Sequence, residues 1–404
     1  MSKKISVGVT IGLMAITAAV TFVITGNVSL ELFNKKVRSV GEKQEFYSKL
    51  SEADSFARAN YINPIDEAAL MDDIVTGYIN GLNDPYAAYY TAEQYASLTD
   101  RSTGYNLGLG FTWEKDPGGY VKINSIVANS SADEYGLAAG DIIMAVNNTN
   151  IIAYPGGYSA AVKLFSAPEG TKVKLHVKRI NEDGGTEFLN VDLISARTEI
   201  ISVTGRIIDN VGYIRISEFN ALTASQLESV IGSLTESGAA GFIFDVRDNE
   251  GGTVEALGQT LDVIIPAGEI VRAYYPVYDE PIVVTTDEKS LDAPMTVLIN
   301  NRTKGEAELF AYALKDEKNA VTVGKNTFGK GVIQDTFKCS DGSAIRFSVA
   351  SLRTKNSGDF TGKGLKPDHD VSLAAEVEPF KLSPSEQDIY DEQLIKALET
   401  VSAG

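Results

Sequence analysis

The stretch Thr296-Val-Leu-Ile-Asn-Asn-Arg-Thr-Lys-Gly-Glu-Ala-Glu-Leu-Phe-Ala-Tyr-Ala-Leu-Lys315 changes its apolar period in mid-course, and few folds accommodate such a change. Val297, Leu298 and Ile299 form a continuous apolar run, the pattern of a buried strand. Ala307, Phe310, Ala311 and Leu314 then recur at the spacing of one helix face. Between them there is room only for a tight turn. A strand that turns sharply into a helix lifts one side chain clear of a sheet and aims unpaired helix amides at negative charge, the geometry of a nucleophile elbow. The residue at that place is Gly305, which has no side chain to present.

Charge and cysteine content narrow the function classes. Fifty-four acidic against thirty-six basic residues leave a net charge of −18, which repels nucleic-acid phosphates and anionic surfaces, so nucleic-acid binding is excluded. Cys339 is the single cysteine and rules out an internal disulfide framework. His176 and His369 lie outside any ligand spacing, so no metal site and no cofactor is expected. At 404 residues and 44% hydrophobic content the chain holds several domains with real cores.

Residues 1–4 read as a cytoplasmic tip, and Ile5 to Ile24 carry no charge, about the span of a bilayer core. With no Ala-x-Ala-like site after them, residues 5–25 are expected to be an uncleaved signal anchor rather than a removed signal peptide. Lys35, Lys36 and Arg38 compete with Lys3 and Lys4 in setting orientation; the expected one is single-pass with the bulk of the chain outside the cytoplasm. Residues 26–98 read as a helical arm, with Leu70, Ile74, Tyr78 and Leu82 at helical spacing and a stop at Asn83-Asp84-Pro85.

Residues 99–198 switch to short β-like runs with glycine turns, among them Tyr120–Ile126, Asp141–Val146 and Val173–Val177. Gly108-Leu109-Gly110-Phe111, followed by Ser131 to Asp141 with its Gly136 and Gly140, resembles a PDZ domain. Loop amides there would hold a peptide's terminal carboxylate while the next strand takes the peptide as an added strand. Residues 199–404 alternate strands and helices: strands Val211–Ile216 and Gly241–Val246, a helix Thr223–Ser237, and a last acidic helix over Ser383–Val401. The fold class expected is a multidomain α+β or α/β chain: membrane anchor, helical arm, PDZ β-module, and an α/β core.

In that order, the anchor, the arm ending in Asp84-Pro85-Tyr86, the PDZ module, Asp245 to Gly252, the elbow, and Phe328-Gly329-Lys330-Gly331 with Gln334 resemble the C-terminal processing peptidases, serine proteases with a Ser-Lys pair. The resemblance implies a ClpP/crotonase-like peptidase core and carries roles over residue by residue. Lys330 matches the general base, Gln334 the residue that orients it, Gly251 one oxyanion donor with the Glu306 amide as the other, and Glu308 the glutamate three after the nucleophile. The nucleophile itself does not carry over, because Gly305 stands at its position between Lys304 and Glu306.

Thr303 is the alternative nucleophile, but two residues along a tight turn it is poorly placed for attack within about 3 Å of base and carbonyl. It fits better as the first residue of a capping box, Thr303-x-x-Glu306, which puts a carboxylate into the field an oxyanion would need. Lys330 is expected to pair with Glu306 or Glu308 and stay charged. The expected function is a membrane-anchored homologue that binds polypeptide C-termini or unfolded segments without turnover. Homodimerisation and pairing with an active relative are its partner options. An active endopeptidase using Thr303 stays open as the alternative.

Overall fold

The structure is a computed structural model that describes residues 44–402, apart from 182, 277–281, 287–289, 355 and 357. The expected anchor at 5–25 lies outside the described residues, and no described helix is long and apolar enough to cross a membrane. The chain divides into two compact units, residues 1–74 and 75–404. In the first, residues 44–60 are helical, and Arg58 on their last turn holds both Asp54 and Glu67. The helix Glu67–Asn80 starts where the Asp66 carboxylate accepts the amides of Ala68 and Ala69, which satisfies two orphan donors of its first turn. Residues 75–98, expected as part of the arm, fall in the second unit. They include a strand, Ala88–Tyr90, that the helical pattern did not announce.

The second unit holds the expected mixed α/β architecture. Its central sheet runs Val203–Ile208, Val211–Ile216, Gly241–Asp245, Met295–Ile299, Val321–Gly324, His369–Asp370. The first pair is antiparallel and the rest are parallel. Gly241–Asp245 and Met295–Ile299 are buried at every residue because both faces of the sheet are covered. Ile214, Phe244, Val297 and Ile299 pack with Leu227, Leu257 and Phe310 from the helices Thr223–Glu236, Val254–Asp262 and Glu306–Lys318. The alternate residues Tyr213, Ile243, Leu298 and Val323 pack with Leu394, Ala397 and Val401 of the last helix, Glu392–Ser402.

The expected single helix over Ser383–Val401 is two, Pro384–Tyr390 and Glu392–Ser402. The chain breaks at Asp391, whose carboxylate is drawn to the buried guanidinium of Arg247 and accepts the Leu394 amide. A second sheet is built on the long strand Ala344–Thr354, which pairs with Ala88–Tyr90, Gly268–Tyr274, Val332–Lys338 and Gly358–Asp359.

The β-module is a sheet ordered Phe111–Lys115, Val121–Ile126, Ile142–Val146, Lys172–Ile180, Thr186–Ile194. Val173, Leu175 and Val177 alternate inward onto Ile123, Ile143 and Phe165, the period of a strand with one buried face. Tyr105–Gly108 pairs with Ala196–Glu199, so the chain enters and leaves this module side by side.

Candidate active site

The turn between Met295–Ile299 and Glu306–Lys318 is held from below by side chains that reach back to the sheet. Asn300 Oδ1 accepts the amides of Arg302 and Asp248. Thr303 is fully buried; its hydroxyl accepts the Asn300 amide at 3.0 Å and donates to the Val246 carbonyl at 2.9 Å. The expected Thr303–Glu306 capping box is therefore not formed, because Thr303 secures the loop and the helix begins two residues later than that box requires, at Glu306, with Gly305 as its N-cap. Thr303 is not among the residues that line the cleft.

The residue that caps the helix is Gly305, at φ 56° and ψ −117°. That backbone region is open to glycine and strained for any residue with a side chain. A Cβ built on Gly305 would lie 3.3 Å from Lys330 Cδ and 3.8 Å from Lys330 Nζ. A hydroxyl on such a carbon would come within reach of the amine. Position 305 and the Lys330 amine are thus in register, and Gly305 brings no side-chain atom between them.

Glu308 builds this register. Its carboxylate is fully buried and takes four donors: the Gly305 amide at 3.0 Å, the Thr327 hydroxyl at 2.5 Å, the Gly329 amide at 2.6 Å and the Lys330 amide at 2.8 Å. One side chain therefore ties the helix start to the loop that carries Lys330. The expected ion pair is absent: Glu306 and Glu308 act on the Lys330 amine only through space, and burial pushes its pKa down. The amine lies over the Tyr86 ring, 5.6 Å from its centroid. Gln334, expected to orient Lys330, spends its amide group elsewhere. Its Nε2 donates to the Tyr86 carbonyl at 2.5 Å and so holds the segment after Pro85 against the site.

At the point expected for an oxyanion stands a carboxylate of the chain. Glu306 Oε2 accepts the Gly252 amide at 3.0 Å, and the carboxylate also takes the amide of Glu306 itself. The Glu306 side chain is 7% exposed, and this burial raises its pKa. The amide of Gly251, the expected donor, goes to Asn249 Oδ1 at 2.8 Å, and the next amide, that of Gly252, is the one that meets Glu306. Two helix-terminal and loop amides aimed at one point would stabilise a developing oxyanion, and here a carboxylate of the chain sits at that point. Around it opens a cleft of about 1300 Å³ lined by Tyr86, Gly252, Glu306, Phe328, Lys330 and Arg346. Arg346 escaped sequence reading because one arginine in an alternating strand gives no local signal.

In the β-module, Leu109 and Gly110 make the tight turn between the strands Tyr105–Gly108 and Phe111–Lys115. The Leu109 amide donates to Phe165 O, and its carbonyl accepts the Ala132 amide. Gly110 has φ +93°, and a Cβ there would strike Ser130 at 2.0 Å, so only glycine fits. The strand that follows, Phe111–Lys115, is an edge strand among the described residues. Lys115 Nζ lies 4.9 Å from the Tyr158 ring of the helix Gly157–Lys163, so the end of this strand lies beside that helix.

Comparison with known proteins gives three family matches: Peptidase family S41 over residues 210–371, a PDZ domain over 122–179, and the activating protease CtpB N-terminal domain over 10–94. The chain is 31% identical over 353 residues to the carboxy-terminal processing protease CtpA of Bacillus subtilis, covering 87% of this chain and 74% of that one. It is 33% identical over 319 residues to the chloroplastic carboxyl-terminal-processing peptidase 1 of Arabidopsis thaliana, covering 76% and 63%. A solved structure of a putative S41 protease from Bacteroides fragilis shares the fold at a TM-score of 0.52 and 18% identity, covering 81% of this chain and 90% of that one.

Proposed function

This chain belongs to the C-terminal processing peptidases of family S41, and from that premise we propose that it binds polypeptide C-termini or unfolded segments and does not cut them. The observation that carries the reading is the double change at one turn. Gly305 brings no hydroxyl to Lys330, and the Glu306 carboxylate sits on the amides of Gly252 and Glu306 where an oxyanion would form. Acyl transfer needs both a nucleophile and that amide pair. Capture falls to the PDZ module through the Gly108–Phe111 loop and the edge strand beyond it. In this reading the uncharged Ile5–Ile24 segment anchors the chain by a single pass, with the rest outside the cytoplasm. It works as a homodimer or beside an active relative. The other reading, turnover through Thr303, meets a buried hydroxyl already committed to the Val246 carbonyl.

The test uses the full chain with an unfolded polypeptide substrate, products being read by mass spectrometry. The native chain should give no cleavage. Gly305→Ser alone restores the attacking atom but leaves the amide pair filled. Gly305→Ser with Glu306→Ala frees it and should exceed the single variant by about 100-fold, the usual worth of an oxyanion donor. Cleavage by the native chain that vanishes in Thr303→Ala would overturn the reading.

A further inference from the structure

The loop with which a PDZ module would hold a terminal carboxylate is already committed within this chain. An amide has one hydrogen to give, and the Leu109 amide gives it to the Phe165 carbonyl at 3.1 Å. That amide cannot swing outward without breaking bonds on the other side of the loop. Leu109 O accepts the Ala132 amide at 3.0 Å, and Gly110 O accepts the Val127 amide at 2.9 Å and the Ser130 hydroxyl at 3.1 Å. A Cβ on Gly108 would lie 2.8 Å from the Phe165 carbonyl oxygen. Glycine at 108 is therefore what lets the loop close on the single 3-10 turn Leu164–Ser166.

Phe165 fills space as well. Its ring is 1% exposed and meets both Phe111 and Trp113 edge to face, with 5.1 Å between centroids in each case. The cations flanking the loop are matched by acids of the helix Ala92–Ser102. Lys163, at the end of the helix Gly157–Lys163, pairs with Glu93 at 2.5 Å, and Arg197, opposite Leu107 in the strand pair, with Asp100 at 2.7 Å. A carboxylate brought here would give up water and meet an amide and two cations that are already engaged, a net cost.

The strand beyond the loop is in the opposite condition. Phe111–Lys115 pairs only with Val121–Ile126 among the described residues, so its other edge carries backbone groups with no ladder partner. Such an edge takes an extended chain by backbone hydrogen bonds, and an internal stretch supplies these as well as a chain end does.

We propose that the PDZ module takes internal, extended segments of unfolded polypeptides along the Phe111–Lys115 edge, and that a terminal carboxylate adds nothing to their capture. The proposal rests on the reading of this chain as a polypeptide binder and narrows it to one of the two substrate classes named there.

The experiment titrates the full chain in detergent with one uncharged peptide rich in valine and threonine, in three forms: free acid, C-terminal amide, and flanked on both sides by glycine-serine tails. Affinity is read by calorimetry, and the contact is located by hydrogen exchange of the backbone amides. The three forms should bind within about twofold of one another, with new protection in Phe111–Lys115 and none in Leu109 or Gly110. A free acid that binds about tenfold or more tightly than the other two, the worth of a charge-assisted bond, and that alters exchange at Leu109 and Gly110 overturns the proposal while polypeptide binding stands. Equal binding of the three forms without protection of Phe111–Lys115 overturns the assignment of the edge. If no form binds, the polypeptide-binding reading itself falls, and this proposal with it.

Discussion

Two arginines of the same unit meet opposite fates. Arg247 is 1% exposed, and every nitrogen of its guanidinium is used: Nε and Nη2 on Asp245, Nη2 and Nη1 on Asp391, and Nη1 also on Gln393. Tyr213 adds its hydroxyl to Asp245 at 2.8 Å. The cluster joins the end of strand Gly241–Asp245 to the start of helix Glu392–Ser402 and leads directly into the loop that ends at Gly252. Arg346 is partly buried with its Nε unpaired, and no carboxylate comes to it. A guanidinium whose donors are all met within the chain is architecture. One left open in a cleft, with the Tyr90 ring 5.1 Å away, ties no two elements together.

The sharpest way to break this comparison is to remove each arginine in turn. Arg247→Met leaves Asp245 and Asp391 buried and facing each other, and should cost about 3–5 kcal/mol in denaturant unfolding. Arg346→Met removes an unpaired charge and should change stability by less than about 1 kcal/mol. Equal costs would erase the distinction. A smaller effect is expected at the elbow, where Glu308→Ala deprives four donors of their acceptor. About 2–3 kcal/mol should be lost. Because the loop bearing Lys330 hangs on that carboxylate, the same change should also cancel any turnover gained by Gly305→Ser with Glu306→Ala, measured on the same unfolded substrate.

How much of this was legible depends on how far each interaction reaches along the chain. The strand, the turn, the position of Gly305 and the β-module strands are local patterns of period and glycine placement, and they stand in the structure where the residues put them. The details that differ are long-range. Thr303 was free to cap its own helix by sequence, but the Val246 carbonyl, 57 residues away, takes its hydroxyl, and Glu308 takes over the cap. Gly251 and Gly252 are equivalent as letters; the Asn249 side chain decides which amide faces the cleft. Gln334 is turned from the lysine by a carbonyl 248 residues earlier, at Tyr86. The break at Asp391 is set by Arg247 on the far side of the fold. Arg346 has no sequence signature at all, because what marks it is the acceptor that never arrives.

The smallest expected effect tests whether Glu306 truly lives as a buried carboxyl on the amide pair. Burial is the largest influence on it and raises its pKa, against the pull of Lys330 and of the Gly252 and Glu306 amides. A carboxyl whose folded pKa exceeds its unfolded one binds its proton more tightly in the native state, so the native state is favoured at low pH. That advantage is lost as pH rises from the ordinary carboxylate range through the raised folded value. Glu306→Gln keeps an oxygen for the Gly252 amide but cannot ionise. The stability of the native chain relative to this variant should therefore fall across that window and level off above it, when unfolding free energies are measured over a pH series. Parallel profiles would mean that the carboxylate is solvated and the amide pair open, and with them would go the reading of a site closed by its own acid.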